Sequence, residues 1–314
     1  GKGCAADMSG CYAEHLQMML ADKDDFAVLW RYCDDVTRCR MSDGLYDTLA
    51  LGRCVPLCKG LKRKVRPVVV INTVRKACET TVCDTLGPKF QQCLAPEQHA
   101  VGMTAAIEKL AKGVQCLVDA ADDVAVGLLD AIGAYNHMRR EPMLEEVEKD
   151  CIEMLAFLAT FLCREGTYVF YDCDGVPHII RTADGCDQGA PFSPAAFAFG
   201  LRRALRNIRR RLMDLLHEAQ QHGQAGHEHE IVALLSFLDD LTLLCPERLM
   251  SRAVHVAREE LGELGLDLHD GKSLVWAKSG ACPPGCERWW RGADGFVVVG
   301  APFGSFRDPM DPAV

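Results

Sequence analysis

The chain has 314 residues, 49% apolar and 25% charged, an ordinary globular mix and rather long for a single core. Lys plus Arg number 35 against 44 Asp plus Glu, a net charge of −9. That balance excludes a uniformly basic nucleic-acid coat and leaves only local patches for such contacts.

In chain order, residues 10–40 read as helical, and 59–66 form a basic run. Pro67 and the β-branched run Val68 to Ile71 then predict a strand. Residues 74–86 and 96–111 read as helices. A short apolar run from Val124 to Leu129 ends at Asp130, a strand that presents a carboxylate from a rigid element. Residues 141–163 read as helical, and 168–171 and 177–181 flank Asp174-Gly175 as a hairpin. From 193 to 216, Leu201, Leu205, Ile208, Leu212, Leu215 and Leu216 recur three and four apart on one helical face, with Arg202, Arg206, Arg209 and Arg210 off it. Residues 217–230 are a polar, His- and Gln-rich loop. The apolar run 231–238 is broken by Asp239-Asp240 and resumes at 241–244, a buried hairpin with two acids at its tip. A helix over 247–264 and strands near 274–276 and 296–299 complete an α+β pattern.

The 17 cysteines fall below the roughly 8–10% of a disulfide scaffold. Reduced thiols and an intracellular, reducing compartment are expected, with nucleus and cytoplasm not distinguished. The longest apolar stretch, 154–163, is too short for a bilayer, so no membrane partner is expected. Gly1-Lys2-Gly3-Cys4, with no initiator Met, reads as the start of a processed or excised segment.

The chemistry concentrates in the carboxylates. Asp is common in turns, and a turn is the plain reading of Asp239 and Asp240. Yet adjacent acids hemmed in by buried strands repel unless a cation neutralises them. With Asp130 they make a cluster of oxygens suited to hard divalent ions. Paired ions ~3.5–4 Å apart serve in-line attack on phosphorus. Gly185 to Pro194 is a Gly/Pro-rich loop leading into a helix, with Ser193 placed as N-cap and Pro194 as first helical residue.

Together these segments resemble the reverse transcriptases. Val126-Gly127-Leu128-Leu129-Asp130 with Ala134-Tyr135-Asn136 resembles their first palm motif. Gln188-Gly189-Ala190-Pro191-Phe192-Ser193-Pro194 resembles their QGxPxSP motif, and Phe237-Leu238-Asp239-Asp240 their [FY]xDD box. Arg66-Pro67-Val68-Val69-Val70 resembles a fingers strand, and 96–102 with Gln98 the segment ahead of the palm. Leu264-Gly265-Leu266 with Lys272 resembles the fourth palm motif, and Val299 to Gly304 the primer-grip strand. The resemblance spans about 50–305 and is nearest in type to the non-LTR retrotransposon and group-II-intron-like enzymes.

It implies an α+β right-hand polymerase, with an antiparallel palm sheet packed on helices and the thumb absent. The implied layout is fingers with an N-terminal helical extension over 1–118, the first catalytic palm strand over 119–140, a fingers insertion over 141–187, and palm with primer grip over 188–314. The implied activity is RNA-directed DNA synthesis by a retroelement. Its partners would be an RNA template, a DNA primer and dNTPs, with the thumb and further domains of a longer polyprotein. Asp130, Asp239 and Asp240 would hold two Mg²⁺ ions, replaceable by Mn²⁺, with the Leu129 (or Leu128) carbonyl as a further ligand. Lys272 would protonate or neutralise the leaving pyrophosphate. Arg66 and Lys64 would grip the triphosphate, Tyr135 would pack under the sugar, and Gln188 and Gly189 would meet the nucleotide. Pro191, Ser193, Arg202, Arg206 and Gly300 would contact template or primer.

Competing readings are a catalytically silent relic or a domesticated nucleic-acid- or protein-binding module, favoured by the acidic charge, and an RNA-dependent RNA polymerase, disfavoured by Leu238 and Tyr135. Cys54/Cys58 and Cys282/Cys286 are wider than zinc spacing, His227 and His229 lie in the polar loop, and Asp119, Asp122 and Asp123 read as loop.

Overall fold

The computed structural model describes residues 5–59, 64–221, 230–292 and 294–304. The side chains of Lys59 and Lys64, much of the basic run and the His227–His229 loop lie outside the described residues. Helices α1 (Ala13–Met19), α2 (Lys23–Thr37) and α3 (Asp43–Ala50) come first. They are followed by strands β1 (Gly52–Lys59) and β2 (Lys64–Val70) and helix α4 (Thr73–Leu94). Then come α5 (Ala106–Ala120), β3 (Ala125–Leu129), α6 (Ala134–His137), α7 (Arg140–Asp150), α8 (Ile152–Leu162), β4 (Gly166–Tyr171) and β5 (Pro177–Thr182). The long helix α9 (Ser193–Gln221), β6 (Ala233–Phe237), β7 (Asp240–Cys245), α10 (Met250–Gly262), β8 (Leu274–Ala277), β9 (Phe296–Val298) and β10 (Ala301–Phe303) follow. No helix among the described residues is long and apolar enough to cross a membrane.

The chain divides into two units, 1–90 with 135–200 and 91–134 with 201–314. The divisions fall inside α4 and α9 and just before Tyr135, whereas the motifs place boundaries at 118, 140 and 187.

The first unit carries a four-stranded sheet in the order β2-β1-β4-β5, antiparallel except for a short parallel pairing of β1 with β4. Pro56 interrupts β1 without harm because the β4 pairing covers only Gly52 and Arg53. Cys54, Val69, Ile71, Tyr168 and Ala190 make its core.

The second unit carries the all-antiparallel sheet β6-β7-β3-β8. Its side chains alternate as a pleat requires. Val126, Leu244 and Trp276 face one way, against the α5 stripe Leu110, Val114 and Val118 and the β9–β10 hairpin residues Phe296, Val298 and Phe303. Gly127 faces the other way, where a Cβ would come within 3.1 Å of Met250 Sδ at the start of α10.

One predicted helix moves. The segment expected as helical over 96–111 is irregular to Ala105, and α5 begins at Ala106. Pro96 lacks a backbone donor, and Gly102 and Ala105 have φ of +73° and +52°, outside the helical basin.

Candidate active site

The second unit's sheet brings the acids together by register. Leu129 pairs with Leu241 across β3 and β7, so one step further sets Asp130 opposite Asp240. Leu128 pairs with Leu274 across β3 and β8, so Asp130 equally faces Lys272. Asp130, Asp240 and Lys272 therefore form a row across the sheet end, on the face that carries Val126, Thr242 and Trp276. All three line a cavity of about 190 Å³, walled by Leu110, Leu128, Leu129, Leu241, Thr242 and Val297 to Val299.

The Asp130 backbone is tied on both sides. Its N–H donates to Ser273 Oγ (3.2 Å), and its carbonyl accepts from the His269 amide (2.8 Å). Its carboxylate accepts from Lys272 Nζ (2.6 Å), a pair whose side chains are 33% and 46% exposed. Lys272 sits in a turn held by Asp270, which accepts from Trp289 Nε1 (3.0 Å) and pairs with Arg258 and Arg288. The Trp289 bond, then the arginine charges, hold the Asp270 carboxyl below its usual range.

Asp239 lies in the tight turn itself, half-buried, while Asp240 is exposed at the start of β7. The described residues contain no group of three or more His, Cys, Asp or Glu side chains set to hold a metal ion. The expected triad is thus seen as two carboxylates on one cavity, with a lysine against one of them. Two hard oxygen donors facing a common space fit a divalent ion, provided Lys272 moves off Asp130.

In the first unit, the Gln188–Gly189 loop is pinned from four directions. Arg140, itself buried, donates through Nε to the Gly185 carbonyl (2.8 Å). Asp187 takes Arg75 Nη2 (2.9 Å) and the Tyr168 hydroxyl. The Gln188 carbonyl accepts from Val69 N–H (2.8 Å), and Phe192 N–H donates to Glu79 Oε2 (3.2 Å). Arg75 and Glu79, one turn apart on α4, pair at 2.6 Å and are 6% and 0% exposed, and Arg75 also lies 4.0 Å above the Phe161 ring. Gly189 has φ +124°, and a Cβ there would lie 2.6 Å from the Val69 carbonyl oxygen, so only glycine fits.

Other expected contacts fall as follows. Tyr135 is half-buried and stacks on Phe197, centroids 4.6 Å apart and planes at 8°. Arg66 is exposed on β2, and Pro191 is half-buried. Ser193 is buried and is the first residue of α9 rather than its cap. Arg202, expected on the solvent side of α9, is 7% exposed, a correction that removes it as an open phosphate contact. Arg206 is exposed. Gly300, with φ +89°, forms with Val299 the turn between β9 and β10. Arg75, Glu79 and Arg140 were not singled out by sequence. An Arg and a Glu four apart read as a solvated helix pair, and only the tertiary packing buries them.

An antiparallel sheet carrying paired carboxylates at its end defines a palm-type nucleotidyltransferase architecture. Residues 58–286 match the family described as "Reverse transcriptase (RNA-dependent DNA polymerase)", and the chain belongs to that family. No curated protein matches the chain. Among solved structures it is similar to apo telomerase from Candida tropicalis, at 10% identity and TM-score 0.57 over 82% of this chain and 47% of that one. A form of that enzyme truncated from its C-terminal domain gives 11% identity and TM-score 0.54 over 74% and 51%. Telomerase from Candida albicans in complex with a fragment of telomeric RNA gives 12% and 0.51 over 72% and 41%. The chain thus spans about half the length, or less, of these structures, and at such identities the similarity is one of fold.

Proposed function

We propose that this chain is the fingers and palm of an RNA-directed DNA polymerase, extending a primer 3′-hydroxyl with dNTPs on an RNA template, in a retroelement. The observation that carries this reading is the row of Asp130 and Asp240 on one cavity, at the strand ends where the family's motifs fall. Asp130, Asp240 and Asp239 would hold divalent ions, Mg²⁺ or Mn²⁺. Such ions, when bound, lower the pKa of the attacking hydroxyl and neutralise the triphosphate. Lys272 is placed to move from Asp130 towards the phosphate charge as that charge arrives. The anchored loop presents Gln188 and Gly189, and Tyr135, stiffened by its stack on Phe197, offers a flat apolar surface for the sugar.

The test is primer extension on an RNA template with Mg²⁺. The expected result is dNTP incorporation that Asp130→Asn and Asp240→Asn each reduce by at least about 100-fold. Extension unchanged in either variant overturns the assignment. Calorimetry with neither Mg²⁺ nor dNTP binding would instead support the silent binding module.

A further inference from the structure

We infer that Gln98 is a positioning residue that locks the turn carrying Asp239 and Asp240. The observation begins with that turn. Phe237 pairs with Asp240, so Leu238 and Asp239 alone connect β6 to β7. Two-residue hairpins of this kind need φ > 0 at their first position, where glycine is the usual occupant. Here the position is Leu238, with φ +55°. A leucine holds that conformation only where its surroundings enforce it.

The enforcement comes from two buried side chains, Gln98 and Ser236, of which Gln98 alone reaches both backbone groups of Leu238. Gln98, 3% exposed, accepts the Leu238 N–H on Oε1 (2.9 Å) and donates from Nε2 to the Leu238 carbonyl (3.4 Å) and to Ser236 Oγ (3.1 Å). Ser236 Oγ in turn donates to the same Leu238 carbonyl (2.8 Å). Oε1 takes a second bond from the Ala100 amide (3.1 Å), so the carboxamide is satisfied at both ends. Both backbone groups of the strained leucine are thus gripped by an amide that presents acceptor and donor side by side. An acid, an alcohol or a methionine at this position lacks that pair.

The clamp is itself rigid. Residues 97–99 run beside β6 as a parallel bridge, with Ser236 N–H donating to the Glu97 carbonyl and His99 N–H to the Ser236 carbonyl, both at 2.8 Å. Glu97, also buried, is held by Arg209 of α9 (3.0 Å). The Gln98 contacts therefore fix the turn that sets the direction of Asp239 and the start of β7 at Asp240. The catalytic meaning of this clamp rests on the proposed polymerase function, while the clamp stands on geometry alone.

The experiment separates the two. Amide hydrogen exchange in the wild-type chain should show the Leu238 N–H protected, although no strand partner reaches it. Gln98→Met, which keeps the length and removes both polar ends, should speed that exchange by at least about 10-fold. Gln98→Met should also lower kcat for primer extension while leaving the dNTP KM within about twofold, because it disturbs the acids and not the nucleotide contacts. Leu238→Gly removes the backbone strain, so in the double variant kcat should recover, which general damage to packing would not allow. An unprotected Leu238 amide in the wild type, or unchanged exchange in folded Gln98→Met, overturns the clamp. A clamp confirmed by exchange with kcat unaffected overturns the positioning role. Absence of any extension by the wild type counts against the proposed function, and the exchange result still decides the clamp.

Discussion

Removing the cation from the buried cluster under the Gln188–Gly189 loop tests how that loop is held. In Arg75→Met, Glu79 (0% exposed) and Asp187 would lose the guanidinium that bridges them, at 2.6 and 2.9 Å. Breaking a buried ion pair by deleting one partner leaves an uncompensated charge and costs about 3–5 kcal/mol. At roughly 2–4 °C per kcal/mol for a unit of this size, the unfolding midpoint should fall by about 6–20 °C. The pH dependence identifies the cause. Burial already pushes the Glu79 carboxyl above its ordinary value of 4.5. A carboxyl raised in the folded state penalises folding when ionised. That penalty is absent below the unfolded value and grows as pH rises through the folded one. Loss of Arg75 moves the folded value further up, so the gap between variant and wild type should be widest near pH 7 and narrow near pH 5. Calorimetric melting at the two pH values measures it. Adding Glu79→Gln to Arg75→Met should restore part of the loss, because the neutral amide needs no counter-charge. A gap independent of pH, or a cost below about 1 kcal/mol, would refute the ion-pair account and leave only the Arg75 stack on Phe161.

Two further substitutions probe the site. Lys272→Met should tighten Mn²⁺ binding at the carboxylate row by about 5-fold, the worth of a half-exposed pair of roughly 1 kcal/mol, as read by electron paramagnetic resonance titration. Weaker binding would show that Lys272 organises Asp130 rather than competes for it. Gly189→Ala should destabilise the chain by about 1–3 kcal/mol in denaturant melts, since its Cβ meets a backbone oxygen at a positive φ. An unchanged midpoint would mean that the loop yields freely.

Much of the site was legible because its signals are local. The break of a buried apolar run at Asp239-Asp240, and the end of another at Asp130, needed only alternation and adjacency. The hairpin at Asp174-Gly175 and the apolar stripe of α9 were legible for the same reason. What was not legible depends on register and burial. The meeting of Lys272 with Asp130 follows from strand pairings whose offset no single segment encodes. The burial of Arg202 follows from the packing around α9, whereas its helical angle alone places it beside exposed arginines. Gln98 stood out in sequence only as part of the 96–102 segment, and its hold on the Asp239–Asp240 turn depends on a positive φ at Leu238 that a leucine gives no reason to expect.

The acidic excess and the arginine runs take on a different meaning once the partners are known. On α9, Arg209 is committed to Glu97, and Arg211 to Glu259 and Glu260. The count of arginines therefore overstates the positive charge that this helix offers to a phosphate backbone. At the sheet end the asymmetry runs the other way. Asp130 is fixed through its own backbone by Ser273 and His269, and the Asp239–Asp240 turn by Gln98, so the anions are set on rigid elements. Their cation, Lys272, is a long, half-exposed side chain with several rotatable bonds, and it reaches Asp130 from a turn. Negative groups that are preorganised and a positive group that is the movable part suit the exchange of Lys272 for a metal ion that the proposed function calls for. That division of rigidity fits the metal-dependent phosphoryl transfer proposed for the chain.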